Sequence, residues 1–156
     1  MVIDTTLKGH ELFRSLSVEE VNQISKFSSV KDFQVGDLIF EYGKPSSHVY
    51  MLMEGRLYLQ LPANPPEFSF AISRIEIGEL FGLSPLLDSP RYTATAKCYS
   101  SVKTLSIEAK PLRELLQKNH TIGFTVINQV AHIYFTRYID LLRRLQEVVG
   151  QISLIR

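Results

Sequence analysis

Gly78-Glu79-Leu80-Phe81-Gly82-Leu83-Ser84-Pro85-Leu86-Leu87-Asp88-Ser89-Pro90-Arg91-Tyr92-Thr93-Ala94-Thr95 is the stretch whose chemistry organises the rest of the chain. Its two glycines, Gly78 and Gly82, let the backbone approach a guest closely. Ser84-Pro85 is a helix start: the Ser oxygen is suited to capping free amides and Pro to the first helical position, so a short helix from Pro85 to about Asp88 is expected. The N-terminus of such a helix gathers unpaired N–H groups and the positive end of the dipole, which favours an anion. Arg91 follows the turn at Asp88-Ser89-Pro90 with a fork of donors suited to a phosphate. An anionic guest is therefore expected, with phosphate as its leading form.

Phe81-Gly82, Pro90-Arg91 and, more loosely, Thr93-Ala94-Thr95 resemble the phosphate-binding cassette of the cyclic nucleotide-binding domain family, found in catabolite activator proteins and in the regulatory subunits of cyclic-AMP-dependent kinase. The resemblance implies ligand contacts from Phe81, Gly82, Leu83, Ser84, Arg91, Tyr92 and Thr93, a cyclic AMP or cyclic GMP effector, and no required cofactor. Two positions depart from the family pattern. Leu83 stands where the family's Glu bonds the ribose hydroxyl, and Pro85 where the family's Ala offers a backbone N–H to the phosphate. The first change removes an acceptor and the second a donor. At about 1.5–3 kcal/mol for each bond to a charged group, unchanged cyclic-AMP affinity is not the expectation.

Working outward, Ser17 followed by Glu20 forms a capping box ahead of Val21 and Ile24, which predicts a short helix within Leu12 to Phe27. From Val30 the apolar period shifts towards two, through Phe33, Val35 and Leu38-Ile39-Phe40, with turn chemistry at Gly36-Asp37 and Tyr42-Gly43-Lys44-Pro45. The run from Val49 to Leu59 reads as two strands meeting at Glu54-Gly55. Pro62 to Pro66 is a loop, Phe68-Ser69-Phe70-Ala71-Ile72 resumes alternation, and two further strands are expected over Tyr92–Cys98 and Val102–Ile107. Short strands with frequent turns predict a closed or sandwiched antiparallel structure such as a jelly roll. Val35 to Phe40, Tyr42-Gly43 and Tyr50 to Leu57 also resemble family signatures in the family's order. The resemblance implies a mixed α+β fold, an antiparallel β jelly-roll barrel with a short N-terminal and a long C-terminal helix.

At 156 residues and 45% hydrophobic content, one core and one domain, residues 1–156, are expected. Helix and barrel would occupy 12–118 and the long helix 119–152. Seventeen basic and sixteen acidic residues give a formal net charge of +1 and no footprint for nucleic acid or an anionic membrane. No apolar run approaches the roughly 20 residues that span a bilayer, and Met1 to Thr6 lacks a signal-peptide layout, so a cytoplasmic protein is expected. Cys98 is the one cysteine, so no disulfide framework, thiolate zinc site or four-cysteine iron–sulfur cluster is expected.

Pro111 lies in the first turn of a helix through Leu115-Leu116, and a long helix is expected from about Thr121 to Val149. Phe124, Ile127, Ala131, Tyr134, Tyr138, Leu141, Leu145, Val148 and Ile152 alternate steps of three and four, a heptad seam. A second apolar set, including Val130, Phe135, Ile139, Leu142 and Val149, faces elsewhere. One face can pack on the barrel while the other meets a partner helix, which predicts a homodimer with Ile127, Tyr134, Tyr138, Leu141, Leu145 and Val148 along the seam. In related dimers this helix passes over the effector's base, so Tyr134, Arg137 and Tyr138 are candidates for lining the pocket.

Several residues carry two readings. Arg91 is a phosphate ligand or a surface Arg closing a turn; Glu79 is a displaced ribose acceptor or a solvated strand-end carboxylate. Thr93 bonds a phosphate oxygen or fills a strand, and Tyr92 contacts ligand or packs the barrel. His10, His48, His120 and His132 lack metal-ligand spacing, which leaves a haem sensor with one axial His as the surviving metal option. No nucleophile–base pair, nucleophile elbow or Walker loop is present, so no enzymatic activity is expected. Arg137, Arg143 and Arg144, beside Asp140 and Glu147, read as a solvated face. With no room for a helix-turn-helix domain before Arg156, no DNA-binding domain is expected. Two functions follow: a regulatory domain that senses an anionic, nucleotide-like effector and signals through the C-terminal helix, or a degenerate form that no longer binds nucleotide and serves as a scaffold for dimerisation or for docking a partner protein.

Overall fold

Two helices precede the barrel in a computed structural model that describes residues 2–10, 13–14, 16–63 and 69–153. The expectations attached to Leu12, Pro65, Pro66 and Phe68 fall outside those residues. Helix α1 (Val2–Gly9) was not foreshadowed by the sequence reading; it buries Leu7 completely. Helix α2 (Val18–Lys26) starts at the expected capping box, in which the Glu20 amide donates to Ser17 Oγ at 3.2 Å and the Ser17 amide to Glu20 Oε2 at 2.7 Å.

Eight strands follow: β1 (Ser28–Phe33), β2 (Leu38–Phe40), β3 (His48–Glu54), β4 (Leu57–Pro62), β5 (Ser69–Ile75), β6 (Leu80–Phe81), β7 (Thr95–Cys98) and β8 (Val102–Glu108). They form two four-stranded antiparallel sheets, in the orders β1-β8-β3-β6 and β2-β7-β4-β5, the jelly-roll barrel expected from the sequence. Consecutive strands β3 and β4 belong to different sheets, so Glu54-Gly55 is a corner between sheets rather than a hairpin. Gly55 has φ +101°, and a Cβ there would lie 2.3 Å from the Ser101 carbonyl oxygen. The strand expected from Tyr92 starts only at Thr95. Before it, Tyr92 exchanges backbone bonds with the Gly43-Lys44 turn (Gly43 N to Tyr92 O and Tyr92 N to Lys44 O, each 2.9 Å).

Strand β3 is buried on both faces because side chains alternate across a sheet. Tyr50 and Leu52 point into the barrel, with Phe40, Leu57, Phe81 and Tyr92. Val49 and Met51 point out, onto a second cluster that includes Val21 and Ile24 of α2. Helix α3 (Ala109–Lys118) adds Leu112 and Leu116 to that outer cluster, and helix α4 (His120–Ser153) adds Ile122, Val126 and Val130. Helix α4 is longer than the expected Thr121–Val149. Asn119 Oδ1 accepts from the Ile122 amide at 3.2 Å, a start signal the sequence reading passed over. Gly150 lies inside the helix. At the α3–α4 corner, a Cβ on Gly123 would stand 2.5 Å from the Leu116 carbonyl oxygen, so glycine permits the close approach of the two helices.

Candidate functional site

Strand β6 delivers the chain from the barrel interior to the cassette. Phe81 is fully buried, its ring 5.4 Å from that of Tyr50, and so acts as core. Gly82 follows at φ +67°, where a Cβ would come within 2.9 Å of the Phe40 ring and 3.0 Å of the Tyr50 ring. Both the backbone conformation and the crowding require glycine there.

The short helix expected from Pro85 to about Asp88 is a 3-10 turn, Ser84–Leu87. Leu83 occupies the cap position without a side-chain bond, and Ser84 is the first residue of the turn rather than its cap. The Leu86 amide donates to the Leu83 carbonyl at 3.0 Å, and Pro85 has none, so two amides of the expected anion site are spent or missing. The turn closes on Asp88 in the left-handed conformation (φ +57°), where its carboxylate pairs with Arg113 of α3.

Arg91 is exposed, and its Nη1 donates to the Gly43 carbonyl at 2.6 Å, closing the turn. Tyr92 lies inside the barrel, stacked on Phe40 with ring centroids 4.1 Å apart. Its hydroxyl donates to the His48 carbonyl at 2.8 Å and accepts from the His48 amide at 3.1 Å, so it is committed to joining the sheets.

Leu83, Ser84 and Thr93 meet instead at a cavity of about 210 Å³. Its barrel side is apolar, with Phe40, Leu59 and Ile72 among the lining, and α4 roofs it with Tyr134, Arg137, Tyr138 and Leu141. The cavity thus gathers three of the seven cassette candidates and all three helix candidates. Arg137 is 15% exposed and pairs with Glu79 (28% exposed) through Nη2 to Oε1 at 3.3 Å, while its buried Nε has no partner. Glu79 is therefore neither solvated nor free: its other oxygen accepts from the Glu76 amide at 3.0 Å. Arg137 and Arg144 are not simply a solvated face either, since Arg144 Nη1 donates to the Ile72 carbonyl of β5 at 3.2 Å. Burial raises the Tyr134 phenol pKa, against the opposing pull of Arg137, so this roof hydroxyl stays neutral and able to donate.

All six seam positions are exposed, from 37% at Tyr134 to 59% at Leu145, and Tyr134, Tyr138 and Leu141 line the cavity roof as well. The Arg137–Glu79 pair escaped the sequence reading because 58 residues separate its members; the signal lay in two lone charges, each beside apolar neighbours. Among the described residues no helix is long and apolar enough to cross a membrane, and no group of three His, Cys, Asp or Glu side chains is placed to hold a metal.

The sequence model of the cyclic nucleotide-binding domain matches residues 30–119. A chain named as a potassium channel protein, from Rhodopseudomonas palustris, is 26% identical over 119 residues, covering 76% of this chain and 28% of that one. The chain thus spans little more than a quarter of that relative's length. A crystal structure from Geobacter metallireducens, named as a cyclic nucleotide-binding protein, superposes with a TM-score of 0.76 at 26% identity over 88% of this chain and 99% of that one. The regulatory domain of Toxoplasma gondii PKA, crystallised with cAMP, shares the fold with a TM-score of 0.69 at 17% identity, over 84% of this chain and 49% of that one.

Proposed function

The chain belongs to the cyclic nucleotide-binding domain family, and on that premise we propose that it is a non-enzymatic, cytoplasmic regulatory domain. It binds a cyclic nucleotide or similar anionic effector between cassette and C-terminal helix, and reports occupancy through that helix. The observation that carries this reading is the shared cavity: Leu83, Ser84 and Thr93 form one wall while Tyr134, Arg137 and Tyr138 form the roof. An occupant there touches both elements at once. Helix α4 is held over the cavity by the Arg137–Glu79 pair and the Arg144–Ile72 bond, and an effector that interacts differently with the roof in its closed and shifted positions moves the population between them. A phosphate at the cassette draws Arg91 away from the Gly43 carbonyl. The exposed stretch of α4 beyond the cavity, including Leu145 and Val148, then packs against a second copy, giving a homodimer, or against a partner protein.

The test is calorimetric titration with cyclic AMP and cyclic GMP, combined with hydrogen exchange along α4. Saturable binding that changes protection over residues 134–145 and weakens in Arg91→Ala supports sensing. A second reading, the degenerate scaffold, is favoured by Leu83, Pro85 and the engagement of Arg91 with Gly43; it predicts no binding and an unaltered α4.

A further inference from the structure

We infer that the cavity under α4 is a site for a compact monocarboxylic acid with an apolar body of about one ring, and that Arg137 recognises its carboxylate. This rests on the reading that the barrel cavity takes an anionic effector.

Size is the first ground. At about 210 Å³ the cavity lies below the roughly 300 Å³ at which pockets for drug-sized ligands begin, which suits a compact ligand. The polar inventory is the second. At the cassette, Leu83 offers no acceptor to a ribose and Pro85 no amide to a phosphate, while Arg91 donates to Gly43 outside the cavity. Arg137 is the one cationic side chain lining the cavity among the described residues, and its Nε is buried without a partner. Its fork has one contact to Glu79, at 3.3 Å, which leaves donors for a second carboxylate. The neutral phenol of Tyr134 and the hydroxyls of Ser84 and Thr93 add donors on the same lining, and the rest, including Phe40, Leu59 and Leu141, suits a hydrocarbon body.

Glu79 has a defined part in this arrangement. It keeps the largely buried guanidinium neutralised when the cavity holds no anion, and it competes with an incoming carboxylate for the same cation. It is a positioning residue and sets affinity through that competition.

The experiment titrates the full chain at pH 7 with benzoate, phenylacetate and isovalerate, with benzamide and phenylacetamide as neutral counterparts, and with cyclic AMP, by ligand-observed NMR. At least one acid should bind saturably while the amides do not. Arg137→Gln should weaken that acid about tenfold or more, and Arg143→Gln, the same charge removal just under two turns along the helix, should leave it unchanged. Glu79→Gln should tighten the acid severalfold; a purely structural role for the pair predicts weakening instead, so this variant decides the matter even if Arg137→Gln folds poorly. Acid binding equal in Arg137→Gln and wild type, or unchanged or weakened in Glu79→Gln, overturns the inference. Saturable cyclic AMP with silent acids overturns the ligand class and leaves effector sensing standing, whereas silence from every compound overturns both.

Discussion

One side chain satisfies both backbone groups of the residue that opens β3: the Tyr92 hydroxyl donates to the His48 carbonyl at 2.8 Å and accepts from the His48 amide at 3.1 Å. Tyr92 stands just ahead of β7, in the opposite sheet, so this is a strap across the barrel. Tyr92→Phe keeps the stack on Phe40 but leaves the two groups unpartnered, and should cost about 1–3 kcal/mol. Urea denaturation measures it; a loss below a few tenths would show that the strap is idle.

Gly82 combines φ +67° with two aromatic rings inside the contact distance of a Cβ. Gly82→Ala should therefore cost about 2–4 kcal/mol, strain and overpacking together. Gly36, at φ +89° in open space, provides the comparison. Gly36→Ala carries only the backbone strain and should shift the midpoint by clearly less. Equal shifts would mean that Phe40 and Tyr50 move aside freely.

Burial, and after it the charge of Lys31, lowers the His48 pKa from its ordinary 6.5, with Glu108 opposing. The folded state therefore resists a proton that the unfolded chain accepts. Stability contributed by neutral His48 is full above about pH 6.5 and declines as pH falls below that value towards the lowered folded one. Denaturation curves between pH 8 and 5 should show this decline, and His48→Gln should flatten it. A slope unaltered by the substitution assigns the acid sensitivity to other groups.

Leu83 is 2% exposed, so Leu83→Glu places a carboxylate in a nearly closed setting and should destabilise the ligand-free protein by at least about 2 kcal/mol. In the presence of cyclic AMP the same carboxylate gains a ribose hydroxyl, and Pro85→Ala restores an amide donor. Cyclic-AMP affinity should then rise about tenfold per site. A folded double variant that binds no more tightly than wild type would show a cavity built for something else.

Leu145 and Val148 lie beyond the cavity roof and are more than half exposed. Leu145→Asp with Val148→Asp should turn a homodimer into a folded monomer with little change in the unfolding midpoint of the subunit. Sedimentation at about 50 µM, where interfaces of even modest affinity associate, reads the difference. A wild-type monomer under those conditions removes the dimer.

The barrel was legible because its corners carry residues with a single conformational answer. Gly55, pressed against Ser101, leaves little choice of turn, and the continuous apolar run Val49 to Leu52, buried on both faces, marks an interior strand. The capping box at Ser17 and Glu20 was equally local. Helix α1 was not legible, because its eight residues show neither a capping box nor sustained apolar spacing and are stabilised by burying Leu7 in a core assembled from distant segments. Within the site, sequence spacing put Arg91 beside the cassette but could not say that the Gly43 carbonyl would hold its guanidinium. It named Glu79 and Arg137 separately and could not pair them, since the contact exists only once β6 and α4 have packed. Local chemistry was readable from local sequence; long-range pairing was not.

Tyr134, Tyr138 and Leu141 roof the cavity and also lie on the apolar seam of α4. If that seam carries a second subunit, the two events share side chains, and their free energies become linked with equal magnitude in both directions. The apparent affinity for an effector would then depend on how much of the protein is present, and the dissociation constant of the assembly on how much effector is present. Such a domain would report its own abundance along with its ligand.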